Sequence, residues 1–490
     1  MESTVTESAP EETSDGSPAA ALPAVTPLVT GVGRPLRPRR FRARTSGWGP
    51  AWRITACGVG ALGTLALGAV ADLFVGAAAR SGRREARRAR LARRVARLLG
   101  ELKGPFVKAG QFAALRYDAL PPDARQTFEA LQDRVPALPF DDVCAVLEED
   151  LAGRLETRFA AFEPEPLGAA SVAQVHRARL HDGREVAVKV QHPWLAESLA
   201  ADVALLRLLF RLWLGFTRRG PAGAQRGVDR ERLFQEFSAG LAEELDFERE
   251  AAVATEIAAN LSSDPQIVVP RVVASHSTRR VLTMSYHPAV PILDRDRLEA
   301  LGVRPRDVLE VLARAYAKQV FVDGVFHADP HPGNLFVLDE PEAGARPRVL
   351  FVDFGLSKRL SPELRRELRL GIYALLQRDL DAFVGGMQRM TMIAPGAEGA
   401  VRAAVASMFE RMAGGGASPL GLSGAGVMAL KDEAKLLLQS TPGLQLPNDL
   451  LLYAKTLSYL FALGERLDPE VDLMKLTVPY LLKFLATRDD

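Results

Sequence analysis

Apolar and polar residues alternate approximately over Gln174 to Leu180 and Val186 to Gln191, and Ile267 to Val273 and Val281 to Ser285 are short strand-like runs rich in apolar residues. A period of two in β-branched segments predicts strands. Between the second and third of these, from about Ala196 to Asn260, apolar residues recur at helical spacing and predict a long helical tract. Upstream, residues 85 to 160 read as helices with breaks at Gly104-Pro105, Pro121-Pro122 and Pro136 to Pro139, where proline removes a backbone donor. Beyond about Asp307 helix dominates, interrupted around Phe326 to Leu338 and Val349 to Gly355. The Gly/Ser-rich stretch Gly414 to Gly426 predicts a flexible loop, and no internal repeat is present. The pattern predicts an α+β, bilobal architecture with a helical N-terminal extension and a largely helical C-terminal lobe. Boundaries fall at 1–48, 49–100, 101–160 (the extension), 161–290 (N-lobe with inserted helices) and 291–490 (C-lobe).

The first 48 residues hold too few large apolar side chains to bury a core and predict a disordered tail; their acidic opening counts against a secretory signal. From Ile54 to Ala71 the chain is uncharged and rich in Ala, Gly, Leu and Val, and after Asp72 the segment continues to Ala79. At 1.5 Å per residue it approaches the roughly 30 Å of a bilayer core. Arginines flank it on both sides, so charge sets no orientation. A single span over 54–79 is one alternative and a helix lying against protein or lipid the other, with the Arg-rich helix that follows attracted to anionic headgroups. Association with the cytoplasmic face of a membrane is the expectation.

With 490 residues, core size is no constraint; 25% charged and 48% apolar residues are ordinary for a globular protein, and a net charge of +2 argues against nucleic-acid binding. Cys57 and Cys144 are the only cysteines, which excludes a disulfide framework and a Cys-rich zinc site and fits a reducing cytosol.

Candidate chemistry lies in three segments. Val186-Ala187-Val188-Lys189 sets a lysine inside a β-branched strand, where a buried cation needs an anion. Alone, it reads equally as a snorkelling surface lysine. His327-Ala328-Asp329-Pro330-His331-Pro332-Gly333-Asn334 puts Asp329 and Asn334 five apart on a loop that cannot be helical, the spacing of a kinase catalytic loop. There the Asp orients or deprotonates the attacking hydroxyl and the Asn oxygen binds Mg²⁺; a solvated turn is the plainer alternative. A hard oxygen-ligand site suits these residues better than zinc, which leaves His327 and His331 structural. Val349 to Phe351 leads into Asp353-Phe354-Gly355, offering a carboxylate as a magnesium ligand just after an apolar strand. Each motif is modest. Together they stand in kinase order, with a small-residue loop before the lysine and an acidic helix after it.

Over roughly residues 100 to 365 the chain resembles the UbiB/AarF (ADCK-type) atypical protein-kinase-like family. The resemblance rests on Lys108-Ala109-Gly110-Gln111, on Ala169-Ala170-Ser171-Val172-Ala173-Gln174-Val175-His176, on Glu244-Leu245-Asp246 with Glu250, and on the two aspartate motifs. It implies a bilobal kinase-like fold binding ATP and Mg²⁺, with Gly168 to Ser171 replacing the Gly-rich phosphate loop. It further implies that Lys189 pairs with Glu250, that Asp329 is the catalytic base, that Asn334 and Asp353 hold metal, and that backbone from Met284 to Tyr286 receives adenine. The element carrying Lys108 and Gln111, which are three apart and share a helix face, is implied to fold over the place of a peptide substrate and to meet Glu244 and Asp246. Residues two apart diverge by about 200° on a regular helix. Both reaching one site would require a distorted turn, and Asp246 is the favoured one.

After Asp-Phe-Gly the chain goes at once to Ser361-Pro362-Glu363, a helix start, without the long activation segment and Ala-Pro-Glu element of peptide kinases. The expectation is an atypical kinase or ATPase at a membrane, which by resemblance supports isoprenoid-quinone or other lipid metabolism. Its partners would be nucleotide and an anionic or lipid-like molecule. A small-molecule phosphotransferase and a non-catalytic nucleotide-sensing scaffold are the alternatives. Lys-Ala-Gly-Gln speaks against the first and Asp329 against the second.

Overall fold

The structure is a computed structural model. It describes residues 104–115, 137–217, 230–339, 346–414 and 443–487, with scattered positions over 52–99 and 433–441. The 1–48 tail, the 54–79 stretch apart from single positions, and the loop after Gly414 lie outside the described residues. Among the described residues no helix is long and apolar enough to cross a membrane.

The N-lobe is a four-stranded antiparallel sheet in the order β1 (Ala161–Ala169), β2 (Ala173–Arg179), β3 (Glu185–Gln191), β5 (Val281–Ser285). Alternation in β3 sends Val186, Val188 and Val190 into a core with Phe159, Phe162 and Val281, sealed by helix α2 (Phe140–Asp150), whose Val143, Val146 and Leu147 face inward. No strand was expected at β1, which carries Pro164, Pro166 and two glutamates. It persists because it is the edge strand, where proline costs no ladder bond, and its register slips around Pro166. The opposite error occurs downstream. Of the strand expected over Ile267 to Val273 only β4 (Ile267–Val268) forms, since Pro270 ends the run and Val272 makes an isolated bridge to Met284. β4 then joins β9 (Val349–Phe351), β8 (Leu335–Leu338) and β6 (Ala289–Pro291) in a second sheet, so the two lobes share strands on both sides of the 290 boundary.

The helical tract resolves into α3 (Pro193–Thr217), α4 (Arg230–Glu244) and α5 (Phe247–Leu261). Helix α1 (Pro105–Leu115) lies across the lobe junction, its Phe106, Ala109 and Phe112 buried with Phe237, Leu241 and Met284. The C-lobe core gathers α6 (Pro305–Ala317), α5, β8 and β9. Behind it α7 (Pro362–Gln377), α8 (Leu380–Arg389), α9 (Glu398–Gly414), α10 (Asn448–Leu467) and α11 (Leu473–Ala486) complete the lobe. The expected start of α7 holds: Ser361 Oγ caps it by accepting from the Leu364 amide at 3.1 Å.

Candidate active site

Lys189, Glu250 and Asp353 come from β3, α5 and the turn after β9, and converge. Lys189 Nζ donates to Glu250 Oε1 at 2.8 Å, Glu250 Oε2 at 3.0 Å and Asp353 Oδ1 at 2.8 Å. Strand β3 delivers the ammonium over the Phe247 ring, 5.1 Å from its centroid. Glu250 also accepts from the Phe354 amide at 3.2 Å, tying the helix to the Asp-Phe-Gly turn. Asp353 holds φ at +63°, a left-handed backbone that a non-glycine residue adopts only where its surroundings impose it. Here they do: His327 Nε2 donates to the Asp353 carbonyl at 2.9 Å, and Phe354 is buried against the His327 ring.

One cation between two carboxylates leaves one of them short of counter-charge. Burial pulls the Lys189 ammonium down, but Asp353 and Glu250 outweigh it and hold it above the usual lysine range. Burial acts on Asp353 as well, yet Lys189 keeps its carboxyl well below the usual range. The deficit falls on Glu250, whose side chain is only 1% exposed against 49% for Asp353. Burial lifts its carboxyl to about 7, with Lys189 opposing and Asp353 adding to the rise.

The second group lies on the loop after β7 (Val325–Phe326). Asn334 Nδ2 donates to Asp329 Oδ2 at 2.9 Å, which leaves its amide oxygen free for a metal. Behind the loop α6 ends in a π-helical turn, Lys318–Asp323, that turns buried Gln319 to accept from the His327 amide at 3.0 Å. His327 Nδ1 accepts from Tyr316 Oη at 3.1 Å, and burial, with Asp329 nearby, raises that phenol well above its usual range and keeps it a donor. His327 thus ties the Asp329–Asn334 loop and Asp-Phe-Gly into one unit, and His331 Nδ1 merely accepts from the Gly333 amide.

Lys108 and Gln111 both face the cleft from α1, and Lys108 forms an ion pair with Glu244. The expected preference for Asp246 is corrected. Helix α4 ends at Glu244 and α5 starts at Phe247, so the two carboxylates belong to different helices; Asp246 caps α5, accepting from the Arg249 amide at 3.1 Å. Ala169 and Ala170 border the cleft. Ser171 does not join them: its hydroxyl is buried and unpartnered in the turn that the Ala170 amide closes onto the Ala173 carbonyl at 2.8 Å. The adenine-bonding expectation loses two of its backbone donors. Met284 is buried in the N-lobe core, both edges of β5 are paired, and the Tyr286 amide donates to the Glu185 carbonyl at 3.0 Å, so neither residue offers a free backbone donor.

Asp329, Asn334, Asp353, Lys108, Gln111 and Ala170 border one cavity of about 1390 Å³. Its far wall is apolar, formed by Leu375, Phe383, Met387, Met390, Met408 and Leu450 from the C-lobe helices. Sequence reading missed this wall and also Lys455, whose Nζ lies 3.3 Å from Asp329 Oδ1; a lysine in an amphipathic helix carries no local signal. Among the described residues no three His, Cys, Asp or Glu side chains gather as a metal site. Asp353 and the Asn334 oxygen border the same cavity, and both are hard oxygen donors of the kind Mg²⁺ accepts when phosphates complete its shell.

A two-lobed fold with a strand lysine held by a helix glutamate, an Asp…Asn loop and an Asp-Phe-Gly turn defines the protein-kinase-like class. Within that class the chain belongs to the ABC1 (UbiB/AarF) family: residues 130–385 match the ABC1 atypical kinase-like domain. It is 31% identical to the probable protein kinase UbiB of Marinobacter nauticus, over 80% of this chain and 69% of that protein. It is 32% identical to ACTIVITY OF BC1 COMPLEX KINASE 8, chloroplastic, of Arabidopsis thaliana, over 79% of this chain and 53% of that one. The matches thus span about half to two-thirds of the length of these relatives. Among solved structures it is similar to Rv3197 of Mycobacterium tuberculosis, determined in complex with erythromycin (TM-score 0.51, 25% identity, 80% of this chain and 95% of that one).

Proposed function

We propose that this protein binds Mg·ATP and acts as an atypical kinase or ATPase. The observation that carries the reading is the Lys189–Glu250–Asp353 cluster beside the Asp329–Asn334 pair. Lys189 would hold the α- and β-phosphates, with Glu250 fixing its direction; Asn334 and Asp353 would hold Mg²⁺, which when bound neutralises charge on the phosphates. Asp329 would take the proton of the attacking hydroxyl or water. Positioning and electrostatics then carry most of the rate.

Two features support an apolar or amphipathic acceptor. Helix α1 borders the cleft where the family resemblance implies a peptide would lie, and the cavity that reaches Asp329 ends in an apolar wall. The relative solved with erythromycin, a bulky macrocycle, fits this reading. It accords with a role at a membrane in isoprenoid-quinone or other lipid metabolism, which the family relationship suggests. The test is ADP release by the purified protein with Mg·ATP, with and without anionic liposomes, beside Asp329→Asn. Turnover that requires Asp329 supports an enzyme, and stimulation by liposomes supports membrane action. Nucleotide binding without turnover points to a nucleotide-sensing scaffold instead.

A further inference from the structure

The segment Asp329 to Asn334 contains no lysine or arginine. A transferring γ-phosphoryl group gathers negative charge on its oxygens, and a phosphoryl-transfer site supplies cations there. Among the described residues, three cations line the cavity: Lys108, Lys358 and Lys455. Lys108 pairs with Glu244 and Lys358 with Glu243, both on α4. Lys455 differs: its carboxylate partner is Asp329 itself.

The position of Lys455 is built. Helix α10 meets the catalytic loop at Thr456 Oγ1, whose one proton is shared between the Leu452 carbonyl of its own helix at 2.8 Å and the Ala328 carbonyl at 3.1 Å, and at the edge contact of Tyr453 with Phe326. The ammonium sits over the Tyr459 ring, Nζ 5.1 Å from its centroid. Its side chain is 18% exposed, and that of Asp329 22%. An ammonium has three donors. One points to Asp329 at 3.3 Å, and because Lys455 borders the cavity the other two remain for a ligand bound there. Any acceptor oxygen within hydrogen-bond reach of Asp329 stands about 3 Å from the phosphorus it attacks. Lys455 Nζ therefore lies no more than roughly 9 Å from that phosphorus, a range over which charges in a cleft still interact.

We propose that Lys455, reaching in from the C-terminal lobe, is the cation that meets the γ-phosphoryl group. The inference rests on the Mg·ATP reading above. In the step it serves, the acceptor oxygen bonds to the γ-phosphorus, the bond to the β–γ bridging oxygen breaks, ADP leaves with that electron pair, and the acceptor proton passes to Asp329. Lys455 stabilises the equatorial oxygens and takes no proton. A residue that only braced the loop would affect ATP and ADP alike. A γ-phosphate ligand distinguishes them.

The experiment measures the affinity of full-length Lys455→Met and Lys455→Arg for Mg·ATP and Mg·ADP by calorimetry, together with ADP release and unfolding midpoints. Lys455→Met is expected to weaken ATP binding about tenfold while ADP binding changes by less than about twofold, and to cut ADP release by roughly 10- to 100-fold. Lys455→Arg, which keeps the charge and is the usable variant should the methionine form fold poorly, is expected to restore ATP selectivity. Equal losses for ATP and ADP, or unchanged ATP affinity, would overturn the proposal while leaving the Mg·ATP reading intact. A wild-type protein that binds no ATP removes both.

Discussion

Replacing Glu250 with glutamine tests the charge arithmetic of the site most directly. Glu250 shares one lysine with Asp353 and is the more buried of the two carboxylates, and its carboxyl stands at about 7 against an ordinary 4.5. The folded state therefore binds more protons at Glu250 than the unfolded chain between those values. The sign follows: this group's contribution to stability is fully present below pH 4.5 and is lost as pH rises through 7. Integrated from pH 8 down to pH 5, the linkage amounts to about 2 to 3 kcal/mol. Glutamine keeps the shape without the charge. At pH 8 it loses charge-assisted bonds from Lys189 worth about 1.5–3 kcal/mol but removes the cost of an under-compensated buried anion, so wild type and Glu250→Gln are expected within about 1 kcal/mol of each other. At pH 5 the wild type should be favoured by a further 2 to 3 kcal/mol, roughly. Urea unfolding at the two pH values, followed by circular dichroism, reads this difference, and other titrating groups cancel between the two proteins. A gap that stays constant with pH, or a mutant more than about 3 kcal/mol weaker at pH 8, would refute the account and make the Lys189 pair self-sufficient.

Other expectations follow from the same geometry. Asp353→Asn is expected to abolish the Mg²⁺ dependence of nucleotide binding with the fold retained, and calorimetry that finds Mg·ATP affinity unchanged would remove Asp353 from the metal site. Lys108→Met removes the ammonium paired with Glu244, in a setting where both side chains are under 15% exposed, and should cost about 2–3 kcal/mol; the double variant Lys108→Met/Glu244→Gln should recover part of that loss, and strict additivity in thermal unfolding would deny the coupling. The Cys144 thiol, pushed up to about 12 by burial and then by Glu148, Asp141 and Glu156, should alkylate about a thousandfold more slowly at pH 8 in the folded protein than in the denatured one. Mass spectrometry of the Cys144 peptide after timed iodoacetamide treatment would detect the opposite.

How far the sequence carries depends on how local each determinant is. Strand β3 was legible because Val186, Val188 and Val190 face a core while the residues between them are less buried, which writes a period of two into the residues; β2 and β5 are largely buried on both faces and were legible as short strand-like runs. The helix start at Ser361-Pro362-Glu363 and the loop bearing Asp329 and Asn334 were legible for a similar reason: proline and capping side chains act within a few residues. Strand β1 was hidden because its prolines are tolerated only at a sheet edge, and edge position is a property of the whole sheet.

The chemistry divides along the same line. The residue types and their order, Lys189, Glu250, Asp329, Asn334 and Asp353, stand in the chain itself and already specified a kinase-like set. That Glu244 rather than Asp246 meets Lys108 was decided by the break between α4 and α5, which no helical repeat records. That Tyr286 has no free amide was decided by its pairing with β3. Lys455 reaches Asp329 across 126 positions of sequence because α10 packs on the catalytic loop, and the apolar end of the cavity exists only where α7, α8, α9 and α10 meet. Local backbone rules act over a few residues and so leave a trace in the sequence; burial, shared charge and cavity shape depend on which distant surfaces touch, and only the folded chain settles that.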